Sequence, residues 1–434
     1  LGQLQENQAT SLTAQTRPAR TFRQKRNTVM PSFEEARKLI LERVSRMGTE
    51  KVFLLDAAGR VLAEDITAPW DMPRYTNSAM DGYAVRADDC NPATVLKVID
   101  FVPAGGKASV EVIAGTAVKI MTGAPLPPGA DAIVPVEDTD EADQGIQIRH
   151  AVERGANIRL KAEDVKAGEC IISAGTILRP AEIGMLASYN KVLVETYRRV
   201  RVALLSTGDE LAELGEMLAE EKIINSNTLA LAAALKETGA EPIILGIARD
   251  NRESHLEKML EGLQADVLIT SAGVSTGDRD FVRAVLEEMG AVFIFNKVDI
   301  KPGRPTTFGL MGAKPLFCLP GNPVSSMITY EELVRPALLK MMGHQRIIKP
   351  LVEATLLTDL TKKRLGVLNF QRVSIEVRDG KYFASCSGDQ NTGILKTMVR
   401  ADALALLPED RDHFEAGDKV FIHLLGSHVD MLPG

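Results

Sequence analysis

Three short apolar runs in the middle third of the chain end abruptly in hydroxyl residues, glycine and acids. Val200 to Leu205 leads into Ser206-Thr207-Gly208-Asp209-Glu210, and Pro242 to Ala248 leads into Arg249-Asp250. Asp266 to Ser271 leads into Ala272-Gly273-Val274-Ser275-Thr276-Gly277-Asp278-Arg279-Asp280. Runs this short and this apolar, closed by turn-forming residues, read as buried strands. Between and beyond them, Thr228 to Thr238, Glu253 to Leu263, Asp280 to Met289 and Val324 to Met342 read as helices. In the third of these, Phe281, Val285, Leu286 and Met289 recur at helical spacing and mark a core face. Strands alternating with helices from Val200 to about Gly343 predict a mostly parallel, doubly wound sheet. Ligands of such sheets bind outside the carboxyl ends of the strands, so the three strand tips predict one site for a polyanion and a metal.

The flanks follow other patterns. Ser32 ahead of Phe33-Glu34-Glu35 has the form of an N-cap with an acid three residues on, and predicts a helix to about Met47 on which Leu39, Ile40, Arg43 and Val44 separate apolar and charged faces. From about Pro69 to His150, glycine and proline punctuate short runs at Val95 to Val102, Ala117 to Met121 and Ala132 to Val136, which predicts a β-rich domain. Residues 150–199 mix short strands and turns with a helix from Ala181 to Ser188 and read as a connecting module. After Pro350, the runs Leu351 to Leu357, Asn369 to Val377 and Val420 to Leu425 predict a carboxyl-terminal β domain, and Asp389 to Gly393 reads as a polar loop. Residues 1–29 are polar and basic and read as a disordered tail.

A length of 434 residues exceeds what one core usually spans, and 45% hydrophobic with 25% charged residues is an ordinary globular composition. The formal charge of -7 disfavours nucleic acid as the main partner and requires any anion site to be local. Cys90, Cys170, Cys318 and Cys386 are widely spaced, which suggests neither a zinc knuckle nor a disulfide framework, and no apolar run reaches a membrane span. A cytoplasmic protein is the expectation.

Three groups of residues could carry chemistry. Asp209, Glu210, Asp250 and Asp280 offer the hard oxygens that Mg²⁺ prefers, although acids after strands also cap helices. Ser206, Thr207, Ser271, Ser275 and Thr276 add hydroxyls and turn N–H groups for an oxyanion. Lys297 and Lys301-Pro302-Gly303-Arg304-Pro305, with Pro320-Gly321-Asn322-Pro323-Val324-Ser325-Ser326, suggest a cationic, proline-stiffened pocket beside a helix whose first turn begins at Pro323. A third group, Asn77 to Ala84 with Thr122-Gly123-Ala124-Pro125, Arg159 and Glu163-Asp164, lies outside the αβ region. Composition does not say whether it approaches the other two.

In their ordered succession these motifs resemble the molybdopterin molybdenumtransferase family, which includes the E domain of gephyrin, from Met30 to the carboxyl end. The resemblance implies an elongated α/β multidomain protein, usually a homodimer. Its parts are a doubly wound αβ domain at 200–345, a connecting domain formed by 30–68 and 150–199 whose first helix is free to pack on the αβ domain, a β-rich domain at 69–149 and a β domain at 346–434. It also implies the reaction, in which molybdate and adenylyl-molybdopterin give molybdenum cofactor and AMP with the help of Mg²⁺. Asp81, Thr122, Arg159 and Asp164 match positions contributed to the active cleft from the neighbouring subunit. Glu210, Asp250, Asp280, Lys297, Lys301, Pro320 and Pro323 match those of the αβ domain. On this reading Glu210, Asp250 and Asp280 hold Mg²⁺ near the pyrophosphate, Lys297, Lys301 and Arg304 hold molybdate or the pterin phosphate, and Ser206, Thr207, Gly273, Ser275, Gly321, Asn322 and Ser325 contact substrate. The finished cofactor would pass to other biosynthetic proteins or to molybdoenzymes. The chain departs from the commoner family pattern at Ala272, where glycine is frequent, at Arg304, where lysine is frequent, and at Asn225, where an acid often stands. Two alternatives share parts of the pattern: a molybdopterin adenylyltransferase, which would not need the regions before Val200 and after Pro350, and a peptide-binding scaffold without catalysis.

Overall fold

The computed structural model describes residues 30–92, 94–217, 219–272 and 281–426. Helix α1 (Phe33–Arg43) starts with a full capping box: the Ser32 hydroxyl accepts from the Glu35 N–H and the Glu35 carboxylate accepts from the Ser32 N–H. Such a cap contributes about 1 kcal/mol. The helix stops short of Met47. Val44 turns extended, remains buried, and the Met47 N–H reaches the Met341 carbonyl 2.8 Å away, so packing on the αβ region wins over helical periodicity.

The αβ region is a six-stranded sheet built from β1 (Arg201–Thr207), β2 (Glu241–Ala248), β3 (Val267–Ser271), β4 (Val292–Phe295), β5 (Thr307–Met311) and β6 (Lys314–Leu319), in the order β2-β1-β3-β6-β5-β4. The first four strands in that order are parallel, and β5 and β4 continue the sheet antiparallel. Its helices are α2 (Ser226–Thr238), α3 (Arg252–Gly262), α4 (Phe281–Glu288), α5 (Pro323–Thr329) and α6 (Arg335–Met341). Alternation along β1 sends Val202 and Leu204 to one face, with Phe33 and Ile40 of α1, Leu231 and Leu235 of α2, and α5 and α6. Ala203 and Leu205 go to the other face, with Met259 of α3 and Val282, Val285 and Leu286 of α4. Chain crossings leave β1 and β3 in opposite directions, which makes the gap between them the switch point of the sheet.

The long helix expected from Val324 to Met342 is interrupted. A π-helical turn at Tyr330–Val334 separates α5 from α6, buries Tyr330 with its hydroxyl on the Ala234 carbonyl (3.0 Å), and buries Glu332 against His423 Nδ1 (2.9 Å). A π turn shifts the helical register by one residue, so a period-based reading runs straight through it.

Three further units surround this layer. Thr49–Phe53 pairs with Leu193–Tyr197 and Ile66–Thr67 with Cys170–Ile172, around Leu62, Leu178, Leu186 and Val194. A six-stranded sheet runs in the order Ala132–Pro135, Gly82–Val85, Thr116–Ile120, Val95–Val102, Gly145–Ile148 and Thr139–Ala142. In the carboxyl-terminal unit Leu368–Arg378 pairs with both Lys381–Cys386 and Ala403–Leu407, and with Val352–Leu356 and Lys419–Leu424 this closes a barrel. Ile300–Lys301 joins the barrel as a parallel strand against Leu368 and Asn369, so the cationic turn of the αβ region is anchored to the barrel. No helix among the described residues is long and apolar enough to cross a membrane.

Candidate active site

At the switch point, β1, β3 and β6 end side by side: Ser206 is level with Ser271, and Ser271 with Leu319. The ends of these strands and the segments Glu210 to Leu211, Ile223 to Asn227 and Pro320 to Pro323 enclose a recess of about 500 Å³. Ser206, Thr207, Glu210, Asn225, Asn227, Ser271, Ala272, Pro305 and Pro320 to Pro323 line it. Gly208, with φ 138°, lets the Glu210 side chain fold back over the strand end; a Cβ there would lie 2.3 Å from a Glu210 carboxylate oxygen.

The floor of the recess is a hydrogen-bonded set. Asn225 Oδ1 accepts from the Ser206 hydroxyl (2.9 Å), the Thr228 hydroxyl (3.1 Å) and the Thr228 N–H (3.4 Å), and so caps α2. An N–H can only donate, so the cap fixes which amide atom is oxygen and turns Nδ2 the other way. Asn225 Nδ2 is buried and has no acceptor. Two residues on, Asn227 Nδ2 donates to Ser271 Oγ (2.8 Å) and the Gly321 carbonyl (2.6 Å), tying the α2 start to β3 and to the turn after β6, while its Oδ1 is buried without a donor. A buried polar atom left unpaired costs about 1–3 kcal/mol, so a donor and an acceptor at one helix start are groups that call for a polar partner.

Ala272 has φ 79°, in the left-handed region that glycine occupies without steric cost. This accounts for glycine being frequent there in the resembled family. The Ala272 methyl also meets the turn after β6, lying 3.2 Å from where a Gly321 Cβ would be.

The remaining sequence-selected residues divide by position. Asp250 lies one strand over, at the end of β2, where its N–H donates to Asp209 Oδ1 (3.2 Å), and it does not line the recess. Lys297, after β4, and Arg304 lie on the opposite side of the recess; the Val298 N–H to Arg304 carbonyl bond (2.9 Å) closes their loop, and only Pro305 of that loop reaches the recess wall. Lys297, Lys301 and Arg304 are exposed and make no ion pair among the described residues. Asp250 and Lys297 thus follow the two outer strands of the sheet, β2 and β4, which are five strand spacings or about 24 Å apart. Ser325 is buried in the first turn of α5 behind the wall. Gly273, Ser275 and Asp280 lie outside the described residues.

The third group forms a cradle on the β-rich unit. The Thr122 N–H and hydroxyl both donate to Asp81 Oδ1, each at 2.7 Å, and these two bonds hold the Asp81 carboxyl below its ordinary range. Gly82 is required beside it, since a Cβ would lie 2.1 Å from the Val134 carbonyl oxygen. Arg159 pairs with Asn77 in a short antiparallel bridge, and the Asp164 N–H meets the Met72 carbonyl at 3.1 Å. Within one chain, no hydrogen bond or ion pair among the described residues joins these four to the αβ recess.

Asn227 was not among the residues singled out in the sequence, and Thr392 figured only as part of the Asp389 to Gly393 polar loop; its hydroxyl accepts from Asn322 Nδ2 at 3.1 Å and brings the barrel to the recess mouth. The available signals were an Asn-Ser-Asn start to a helix and a polar loop between barrel strands.

Among the described residues no three His, Cys, Asp or Glu side chains are grouped as a metal site. Glu210 in the recess, with Asp250 one strand away, instead offers one or two carboxylates. That donor set fits Mg²⁺ carried mainly on substrate phosphate.

A doubly wound layer with a polar switch-point recess, flanked by a β-rich unit and a barrel, defines a multidomain α/β protein with a recess of small-ligand size. The chain belongs to the molybdopterin molybdenumtransferase family. The model for the MoeA N-terminal region (domain I and II) matches residues 31–189, that for a probable molybdopterin binding domain matches 203–340, and that for the MoeA C-terminal region (domain IV) matches 353–425. Molybdopterin molybdenumtransferase of Haemophilus influenzae is 38% identical over 407 residues, covering 92% of this chain and 100% of that protein. The Nostoc protein of the same name is 35% identical, covering 91% and 94%. The crystal structure of the molybdopterin biosynthesis MoeA protein from Pyrococcus horikoshii superposes with a TM-score of 0.76 at 32% identity, covering 92% of this chain and 100% of that one.

Proposed function

We infer that this protein is an enzyme that inserts molybdate into adenylyl-molybdopterin, giving molybdenum cofactor and releasing AMP. The observation that carries the reading is the convergence of Ser206, Thr207, Glu210 and the Pro320 to Pro323 turn on one recess at the switch point. Relatives that share the whole domain series bear the corresponding name, which disfavours a stand-alone adenylyltransferase.

The division of labour follows from the geometry. The α2 and α5 starts direct N–H groups toward the recess and favour an anionic substrate there. Asn225 Nδ2 and Asn227 Oδ1 supply a donor and an acceptor for a heterocycle edge or phosphate, and Glu210 offers a carboxylate for Mg²⁺, with Asp250 and Asp280 as further candidates. When bound, that ion would offset charge on the phosphoanhydride. Lys297, Lys301 and Arg304 are free to hold molybdate at the other flank. The Asp81 cradle, which shares no hydrogen bond or ion pair with the recess among the described residues of one chain, would meet it from a second copy, so the active form is a homodimer with composite sites. The protein acts in the cytoplasm and hands its product to a downstream acceptor.

Incubation with adenylyl-molybdopterin and Mg²⁺, with and without molybdate, tests the reaction. Molybdate-dependent AMP release is expected, and AMP release at the same rate without molybdate rules the reading out.

A further inference from the structure

A second cleft lies at the far end of α2. The recess meets the amino end of this 13-residue helix and the cleft meets its carboxyl end, at Lys236 to Gly239, so about 20 Å separates them. The cleft encloses about 560 Å³ between the connecting unit and the αβ layer. Five cations, Arg60, Arg199, Lys236, Arg335 and Arg346, line it against a single carboxylate, Glu237. In a chain of net charge -7 this is a strong local reversal.

Neighbours leave most of that charge unanswered. Arg60 pairs with Glu50 (2.7 Å) and Arg335 with Glu331 (3.4 Å), but the side chains of Arg199, Lys236 and Arg346 make no hydrogen bond or ion pair among the described residues. Arg60 Nε is buried and lacks an acceptor. Helix dipoles account for part of the pattern: α2 and α6 both end at the cleft, and a cation near each end complements it. Two helix ends do not call for five cations. Burial and the Arg335 charge hold the His344 imidazole below its ordinary pKa, so it faces the cleft as a neutral group. Tyr197 adds an aromatic ring to the wall.

We propose that this cleft is a second binding site, separate from the strand-end recess, for a phosphate-bearing small molecule of nucleotide size. Guanidinium forks suit phosphate oxygens, and the volume falls in the range of small-ligand sites. The site spans the connector Tyr197 to Val200, through which the connecting unit joins β1, so its occupant would touch both units at once.

Isothermal titration of the full-length protein with AMP, pyrophosphate and adenosine tests this. Saturating adenylyl-molybdopterin without molybdate is included to occupy the recess. AMP or pyrophosphate is expected to bind under that block, adenosine is not, and the double variant Lys236→Ala/Arg346→Ala is expected to weaken binding by tenfold or more. Both side chains are exposed and lie outside the recess, so the variant should keep its melting temperature and its molybdate-dependent AMP release. Arg199→Lys, which keeps the charge but loses the fork, should weaken binding by less. The proposal is overturned if neither AMP nor pyrophosphate gives a binding event that the double variant weakens, or if adenosine binds as well as AMP.

Discussion

The Asp81 cradle and the switch-point recess are both polar and both built around a strand end, yet they differ in what they leave open. In the cradle an exposed carboxylate is already answered by two Thr122 donors on one oxygen, and its charge is locked in by local bonds. In the recess the bonds run between elements, from Asn225 to Ser206 and from Asn227 to Ser271 and Gly321, and each asparagine keeps one buried polar atom unanswered. The cradle is a finished tool and the recess an unfinished socket. No hydrogen bond or ion pair joins the two among the described residues of one chain, and the homodimer proposed above would bring them together from two chains.

The largest effect is expected where that implication is tested. Asp81→Ala should lower molybdate-dependent AMP release by a hundredfold or more, the usual scale for a charged group acting in a transition state. Glu210→Ala should do the same from the other side. Mixing the two inactive variants and allowing subunits to exchange should restore about a quarter of wild-type activity per chain, because half of the dimers are mixed and each mixed dimer rebuilds one intact site of two. A mixture as inactive as its parents would place both residues in one subunit's site, or remove one of them from catalysis.

A smaller effect should follow from changing the socket alone. Asn225→Asp keeps the cap on Thr228 and the acceptor for Ser206 but turns the unpaired donor into an acceptor bearing charge. If Nδ2 meets a substrate acceptor, affinity for adenylyl-molybdopterin should fall about tenfold, a loss on the scale of one hydrogen bond to a site built for it. The check is an equilibrium titration without molybdate. Unchanged affinity would show that Nδ2 does not contact this ligand. Since an acid is common at this position in the family, the substitution also asks whether this chain has exchanged an acidic contact for an amide.

The sequence made one of these regions far more legible than the other. The strands of the αβ layer, the capping box at Ser32 and the proline start of α5 all followed from period and punctuation, because each is a local preference that the fold retains. The composite character of the recess did not. Asn227 is ordinary in sequence and matters only because β3 and the turn after β6 arrive on either side of it, and Thr392 is more than sixty residues away in the chain. The lysines were the converse case. Local composition marked them as a cationic cluster, and that they follow the far edge strand from the one Asp250 follows is fixed by strand order and invisible to local pattern. The π turn at Tyr330–Val334 escaped for a third reason, since it preserves helical composition while shifting the register.

Strain offers a stability test of the same contrast. Ala272→Gly relieves a left-handed alanine at φ 79° and should stabilise the protein by about 1 kcal/mol, less the greater freedom glycine gains when unfolded. Chemical denaturation of the αβ region reads this directly. A destabilised variant would mean that the Ala272 methyl, close to Gly321, contributes more by packing than its backbone costs.

The smallest change concerns the tool. The Asp81 carboxyl is held below its ordinary value of 3.8, first by the Thr122 N–H and second by the Thr122 hydroxyl. A lowered carboxyl pKa means that the charged form gains from folding above the ordinary value, and that this gain is lost only as pH falls through the lower, folded value. Activity that depends on ionised Asp81 should therefore show no acid limb from this group until the pH is below 3.8. Thr122→Val removes the hydroxyl but leaves the N–H, so it removes the lesser cause. The limb should move upward but stop short of the ordinary carboxylate value. A Thr122→Val profile that superposes on the wild type would mean that the backbone bond alone sets the charge of Asp81, and that the hydroxyl serves to orient the carboxylate toward the recess it meets.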